Sequence, residues 1–267
     1  MASNILVLGA TGFIGGVVSQ KLRSQYLVHT PTRHELDLTD TKSVSDYFAN
    51  KTFDVVINCA ASLSTQLSPF DPAVVNVNLS IFSNLYAVRG SFNQLINFGS
   101  GAEFDRSTNI DQISEEHIFN AVPVDHYGLS KNIIARMIAN TDNFYTLRLF
   151  GVFGPTEHPS RLLRQIIAGN EIVIHDRYFD YFYVNDLLMV LDHYINHTPK
   201  HKDINVVYTE KILLSDFLTQ FCNLHRLPSH IIKLSNRNGL NYTGSSEKIQ
   251  QLQLPFMGIT QGLKDYI

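Results

Sequence analysis

Short apolar runs alternate with amphipathic stretches from residue 4 onward. NILVL at 4–8 is almost continuously apolar and ends at Gly9, which reads as a strand buried on both faces. Val17, Val18 and Leu22 then fall at helical spacing, and the same change of period repeats along the chain. Strands are read at 26–30 (YLVHT), 55–58 (VVIN), 94–98 (QLINF) and 145–150 (YTLRLF), with helices at 43–50 and 74–89 between them. In PVDHYGLSKNIIARMIA the residues Leu129, Ile133, Ile134, Met137 and Ile138 recur at helical spacing, so this is one amphipathic helix. Pro123 ends what precedes it, and Asp125 stands where an N-cap belongs. Strand and helix in alternation predict an α/β fold with a doubly wound parallel sheet, Rossmann-like in plan.

Beyond Pro155 the pattern loosens. Helices are read at 162–168, 186–196 and 215–225 and short strands at 171–175 and 205–208, while 235–246 is rich in glycine, serine and asparagine without a period. The organisation expected is a dinucleotide-binding domain over 1–155, rejoined by a segment around 177–208. Residues 156–267 then form mainly a small C-terminal substrate lobe. A chain of 267 residues, 44% hydrophobic and 17% charged, can bury such a core. Its net charge of -3 gives no reason to expect nucleic acid. Two cysteines, Cys59 and Cys222, make no disulfide framework, no apolar run reaches the ~20 residues of a membrane span, and no leader-like segment opens the sequence. A cytoplasmic setting and no membrane partner are expected. The 11 histidines fall in no ligand-spaced pattern, so no metal is expected.

Three features carry chemistry. The first strand runs into GATGFIG, from Gly9 through Gly12 to Gly15, and then into a helix. Such a turn lets the backbone approach a pyrophosphate, which the helix N-terminus attracts. The second strand ends in TPTRH with no acid to hold a ribose 2′-hydroxyl, but with Arg33, which suits a 2′-phosphate. NADP is therefore favoured over NAD. Tyr127 and Lys131 lie at i and i+4 on one helix face, where the ammonium is expected to pull the phenol pKa below ~10 and make Tyr127 a proton donor and acceptor. That spacing alone equally describes a surface tyrosine beside a surface lysine. Ser100 closes a mid-chain strand, and in a parallel sheet strand ends face one crevice, so Ser100 and Tyr127 can converge on one oxygen.

With these features in this order, the sequence resembles the extended short-chain dehydrogenase/reductases, the family of nucleotide-sugar epimerases, dehydratases and reductases. GATGFIG, DLTD at 37–40, NCAA at 58–61, GSGAEF at 99–104, YGLSK at 127–131, RLFGVFGP at 148–155 and DYFYVNDL at 180–187 carry the resemblance. It implies Tyr127 as catalytic acid/base, Lys131 on the nicotinamide ribose, and Ser100 on the reacting oxygen. It places Gly9, Thr11, Gly12, Phe13, Ile14 and Gly15 at the phosphates, and Asp37 and Leu38 by the adenine. Ala60, Ala61 and Asn78 stand on the cofactor side. It also implies a homodimer paired through the 74–89 helix and the Tyr127 helix.

Within the family the chain is most similar to GDP-fucose synthase-like reductases. Those enzymes epimerise C3 and C5 using a cysteine where this chain has Ala102 and a histidine where it has Arg161, with His158 close by. Gly151 stands where the family has a substrate-binding asparagine, and Phe179 begins a motif that usually starts with arginine. The expectation is an NADP-dependent reductase of a 4-keto-6-deoxy nucleotide sugar, without C3/C5 epimerisation, in surface polysaccharide synthesis. A 4-epimerase with bound NAD and a non-catalytic dinucleotide sensor are the rival readings.

Overall fold

The computed structural model describes residues 4–63 and 71–267. Among them the first part of the chain runs β1 (Asn4–Leu8), α1 (Phe13–Leu22), β2 (Leu27–His29), α2 (Thr41–Phe48), β3 (Phe53–Asn58), α3 (Pro72–Ala87), β4 (Phe92–Ser100), β5 (Ile110–Ile113), α4 (His126–Ala139) and β6 (Phe144–Leu149). There follow β7 (Val152–Phe153), α5 (Leu162–Ile167), β8 (Ile172–Ile174), β9 (Phe182–Tyr183), α6 (Val184–Asn196) and β10 (Asp203–Val206). The last part holds α7 (Leu214–His225), β11 (Ile232–Leu234), β12 (Tyr242–Gly244), α8 (Glu247–Gln250) and α9 (Gly258–Lys264).

Six strands form one parallel sheet in the order β10-β6-β4-β3-β1-β2. Because β1 leads to β2 on one side and the chain then crosses to β3 on the other, the switch point where ligands bind lies at the ends of β1 and β3. Side chains alternate between two cores. Ile5, Val7, Val55 and Ile57 face one apolar cluster, which also takes Val18 and Leu22 of α1, Leu187 and Leu191 of α6, and Phe217 and Phe221 of α7. Leu6, Leu8 and Val56 face the other, with Phe48 of α2, Phe82 and Leu85 of α3, and Ile134 and Ile138 of α4. A continuous apolar strand is thus one that must satisfy two layers at once.

Boundaries moved where capping outweighs periodicity. The helix expected from residue 43 starts at Thr41 because the Asp40 carboxylate accepts from Lys42 N at 2.9 Å. The helix expected from residue 74 starts at Pro72, because Asp71 caps Ala73 N and Pro72 suits the first helical position. The stretch 205–208 begins its strand earlier, at Asp203, and docks at the sheet edge beside β6. There the buried Glu115 carboxylate accepts from Asn205 N at 2.7 Å. Periodicity missed β5 and β12, which pair in parallel, so the aperiodic stretch 235–246 contributes a strand after all. Strands of three or four residues are too short to show a period.

Candidate active site

The site is best built strand by strand along the C-terminal edge of the sheet. Gly9 ends β1 with φ +75°, and a Cβ there would sit 2.9 Å from Ala60 N. At Gly15 a Cβ would lie 2.2 Å from Gly9 O, so α1 presses onto the turn that starts it. Gly12 caps α1 without a side-chain hydrogen bond, and the first turn carries no acid. First-turn N–H groups have no partner inside a helix, so this terminus fits a pyrophosphate.

At the end of β2, Arg33 is 81% exposed and 3.4 Å from Asp37. Such an exposed pair is weak and leaves the guanidinium open to a phosphate. Glu35 takes no part: its carboxylate accepts from Thr32 N at 2.7 Å and from the Thr32 hydroxyl. At the end of β3 the buried Asn58 donates to Asn97 and accepts from Ala60 N, which fixes Ala60 and Ala61 at the mouth. Asn78 does not reach the cleft. Its buried amide accepts from Ser62 N at 2.7 Å and donates to Ser62 O and to the Ser130 hydroxyl, tying α3 and α4 behind the wall.

Ser100 ends β4 in a capping box. Its hydroxyl accepts from Ala102 N at 3.2 Å, and Glu103 accepts from Ser100 N at 2.8 Å. Glu103 is itself 1% exposed and paired with Arg148, which is fully buried, at 2.6 Å. Arg148 reaches on to Asn205 and Asp203, and Asp203 to Lys248. A chain of mutually satisfied charges therefore runs from the surface to the backbone of Ser100.

The helix α4 brings the other groups. Asp125 caps it as expected, accepting from Gly128 N at 2.8 Å, and is gripped by Arg106 at 2.8 Å. A Cβ at Gly128 would sit 2.5 Å from Ala102 O, so glycine is what lets the helix close on the Ser100 turn. Asn132 donates toward three carbonyls, those of Glu103, Ile118 and Ala121, and fixes that approach. Tyr127 comes to the same cleft wall as Ser100.

The expected lowering of the Tyr127 pKa by Lys131 does not hold. The Lys131 ammonium is 6.0 Å from the phenol ring centroid and donates to Phe98 O at 3.0 Å. Burial instead pushes Tyr127 up to about 12; Ser100 and Arg106 pull it down and Glu103 adds to the rise. Burial also lowers the proton affinity of Lys131, against the pull of Glu103. Desolvation outweighs a cation held this far away. Tyr127 is thus a protonated donor at neutral pH.

These groups line one cleft of about 800 Å³. Gly9, Thr11, Gly12, Phe13, Ile14, Gly15, Arg33, Asp37, Leu38, Ala60 and Ala61 line it toward β1 and β2, and Ser100, Tyr127 and Lys131 toward β4. Gly151, His158 and Arg161 extend it past β6. The asparagine missing at 151 has a steric cause, since a Cβ there would meet the Phe179 ring at 2.7 Å and Asp180 O at 2.9 Å. Sequence reasoning missed Glu103, Asn132 and Arg148 as supports of the site. The S-x-x-E spacing from Ser100 and a charge inside an apolar strand were the available signals.

A profile of the NAD dependent epimerase/dehydratase family matches residues 5–207, and the chain belongs to that family. A curated relative, the probable low-salt glycan biosynthesis reductase Agl14 of Haloferax volcanii, is 31% identical over 171 residues. That match takes in 59% of this chain and 56% of the relative, so the chain spans little more than half of that protein's length. Among solved structures, MlghC, a GDP-mannoheptose C4 reductase from Campylobacter jejuni with NADP bound, is similar with TM-score 0.83 and 18% identity, covering 99% of this chain and 96% of that one. A dTDP-4-dehydrorhamnose reductase from Bacillus anthracis in complex with NADP gives TM-score 0.82 at 16% identity, covering 100% and 98%. At such identities these structures speak for the fold.

Proposed function

We propose that the chain is an NADP-dependent reductase of a 4-keto-6-deoxy nucleotide-linked sugar, acting without C3/C5 epimerisation in surface polysaccharide synthesis. The observation that carries this reading is the meeting of Ser100, Tyr127 and Lys131 in a cleft that begins at an uncapped helix N-terminus and Arg33. When bound, the reduced nicotinamide supplies the hydride. The Ser100 hydroxyl and the Tyr127 phenol hold the carbonyl oxygen, and Tyr127 gives it a proton as the alcohol forms. Lys131, anchored on Phe98 O and lining the same cleft, would hold the cofactor ribose. The curated relative named as a glycan biosynthesis reductase favours this reading over a 4-epimerase or a sensor.

Epimerisation beside a carbonyl needs one group to take a C–H proton and another to return it on the opposite face. Ala102 has no such chemistry, and Arg161, whose guanidinium donates to Val152 O, has no acceptor to take a proton with. Among the described residues that line the cleft past β6, His158 is the one further acid/base, and one group is not a pair. A homodimer through α3 and α4 belongs to the same reading, supported by the partly exposed Val75, Leu79, Ile133 and Met137 on those helices. A solution mass equal to the monomer at micromolar concentration would remove it. The test of function is a panel of 4-keto nucleotide sugars with NADPH in deuterated water. We expect stoichiometric NADPH consumption and no enzyme-dependent deuterium at C3 or C5. Stereospecific deuterium at either carbon would show an epimerising enzyme, and no consumption across the panel would remove the reductase reading.

A further inference from the structure

Among the described residues three lysines or arginines line the cleft: Arg33 past β2, Lys131 on α4 and Arg161 past β7. In the sheet β1, β3 and β4 stand between β2 and β6, so one phosphate group cannot serve both Arg33 and Arg161. The Arg161 side chain is 45% exposed yet held at two points. Its Nη2 donates to Val152 O at 3.2 Å, and its Nε faces Glu157 Oε2 at 3.6 Å. A guanidinium is a planar fork with N–H groups on Nε and on both Nη atoms. The Nη1 pair and the second Nη2 hydrogen therefore remain for a ligand in the cleft.

The Glu157 side chain is 2% exposed. Its Oε1 accepts from the Tyr266 hydroxyl at 2.6 Å, while its Oε2 is buried without a hydrogen bond and has Arg161 as its ion-pair partner. Tyr266, just past α9, is 2% exposed and stands edge-on to Phe221 of α7, 5.2 Å between ring centroids. A neutral amide in place of the carboxylate would hold Tyr266 equally well, without the cost of burying a charge. The charge acts only toward a cation, and Arg161 is the one within ion-pair distance among the described residues. An arginine fixed in this way has given up its rotamer freedom before a ligand arrives. Its open edge suits the paired oxygens of a phosphate.

We propose that Arg161 binds the diphosphate of the nucleotide-linked substrate, and that Glu157, held by Tyr266, is the positioning residue that aims it. This rests on the nucleotide-sugar reading above, and the experiment separates the two. The full chain, saturated with NADP, is titrated calorimetrically with GDP, UDP, CDP and dTDP as probes. At least one is expected to bind, and Arg161→Ala to weaken it about tenfold while NADPH affinity stays within twofold. Glu157→Gln, which keeps an acceptor for Tyr266, is expected to weaken the same probe about threefold, and in an Arg161→Ala background to cost nothing further. Tyr266→Phe carries the same comparison if Glu157→Gln does not fold. Equal losses in both backgrounds, or none in either, overturn the positioning role. Failure of the wild type to bind any of the four probes, or unchanged binding in Arg161→Ala, overturns the proposal as a whole. With a substrate that the wild type reduces, Arg161→Ala is expected to raise the sugar nucleotide's KM about tenfold and leave kcat within twofold. An unchanged KM sinks this proposal and spares the reductase reading. A wild type that reduces no 4-keto sugar but binds a nucleoside diphosphate through Arg161 does the reverse.

Discussion

Toward β1 and β2 the cleft wall is made of what is missing: three glycines, Ala60, Ala61, an uncapped helix start and one exposed guanidinium. Toward β4 the wall is crowded with polar groups, each bonded to another inside the core: Ser100 to Glu103, Glu103 to Arg148, and Arg148 to Asp203 and Asn205. One side leaves donors free for a ligand to satisfy. The other ties its polar groups to one another in advance and so holds the Ser100 turn in one shape. On the proposed reading, binding uses unmet backbone groups, whereas the reacting end depends on a fixed network.

The contrast is broken most severely at Arg148. Arg148→Ala leaves Glu103 buried without its cation, and loss of one partner of a buried pair costs about 3–5 kcal/mol. Urea unfolding should show that loss; a change under about 1 kcal/mol would mean the network is not what holds the Ser100 turn. Next comes Tyr127→Phe, expected to fold and bind cofactor but to lose at least about two orders of magnitude in turnover, as for removal of a positioned acid. The sign of its pH dependence follows from the raised pKa. On the proposed reading the phenol is the acid in reduction, and burial keeps it protonated at every pH below about 12. The wild-type rate should thus show no loss from Tyr127 ionisation between neutrality and about pH 10. An alkaline limb near neutrality that vanishes in no variant but Tyr127→Phe would restore a lowered phenol pKa.

The smallest change lies at the open end. Arg33→Ala should weaken NADPH about tenfold, the scale of one charge-assisted contact on an exposed group, and leave NADH within twofold and the unfolding midpoint unmoved. Equal effects on both cofactors would reduce Arg33 to a loop residue and reopen NAD.

Legibility followed the same divide. Gly9, Gly12, Gly15 and Arg33 lie within one strand–turn–helix–strand stretch, where local pattern determines local shape, and all of them line the cleft. Tyr127, Lys131 and the Asp125 cap were readable for the same reason. Lys131's effect was not, because it depends on where the ammonium is anchored, and Phe98 O holds it 6.0 Å from the ring centroid. The pairing of β12 with β5 could not be found at all. The strand has three residues and its partner lies more than a hundred positions earlier, so no window of sequence contains the contact.

The outer edge of β10 has one more consequence. A strand at the border of a sheet presents unpaired amides, and any extended chain drifting past can add itself there. Here the Asn205 amide is already given to the Glu115 carboxylate, and the Asn205 side chain donates to Ile113 O. At the opposite border β2 is only three residues long. A sheet with one border occupied by its own side chain and the other cut short offers little template for stacking copy upon copy. What guards this border against a stray strand is thus a carboxylate that lies outside the cleft.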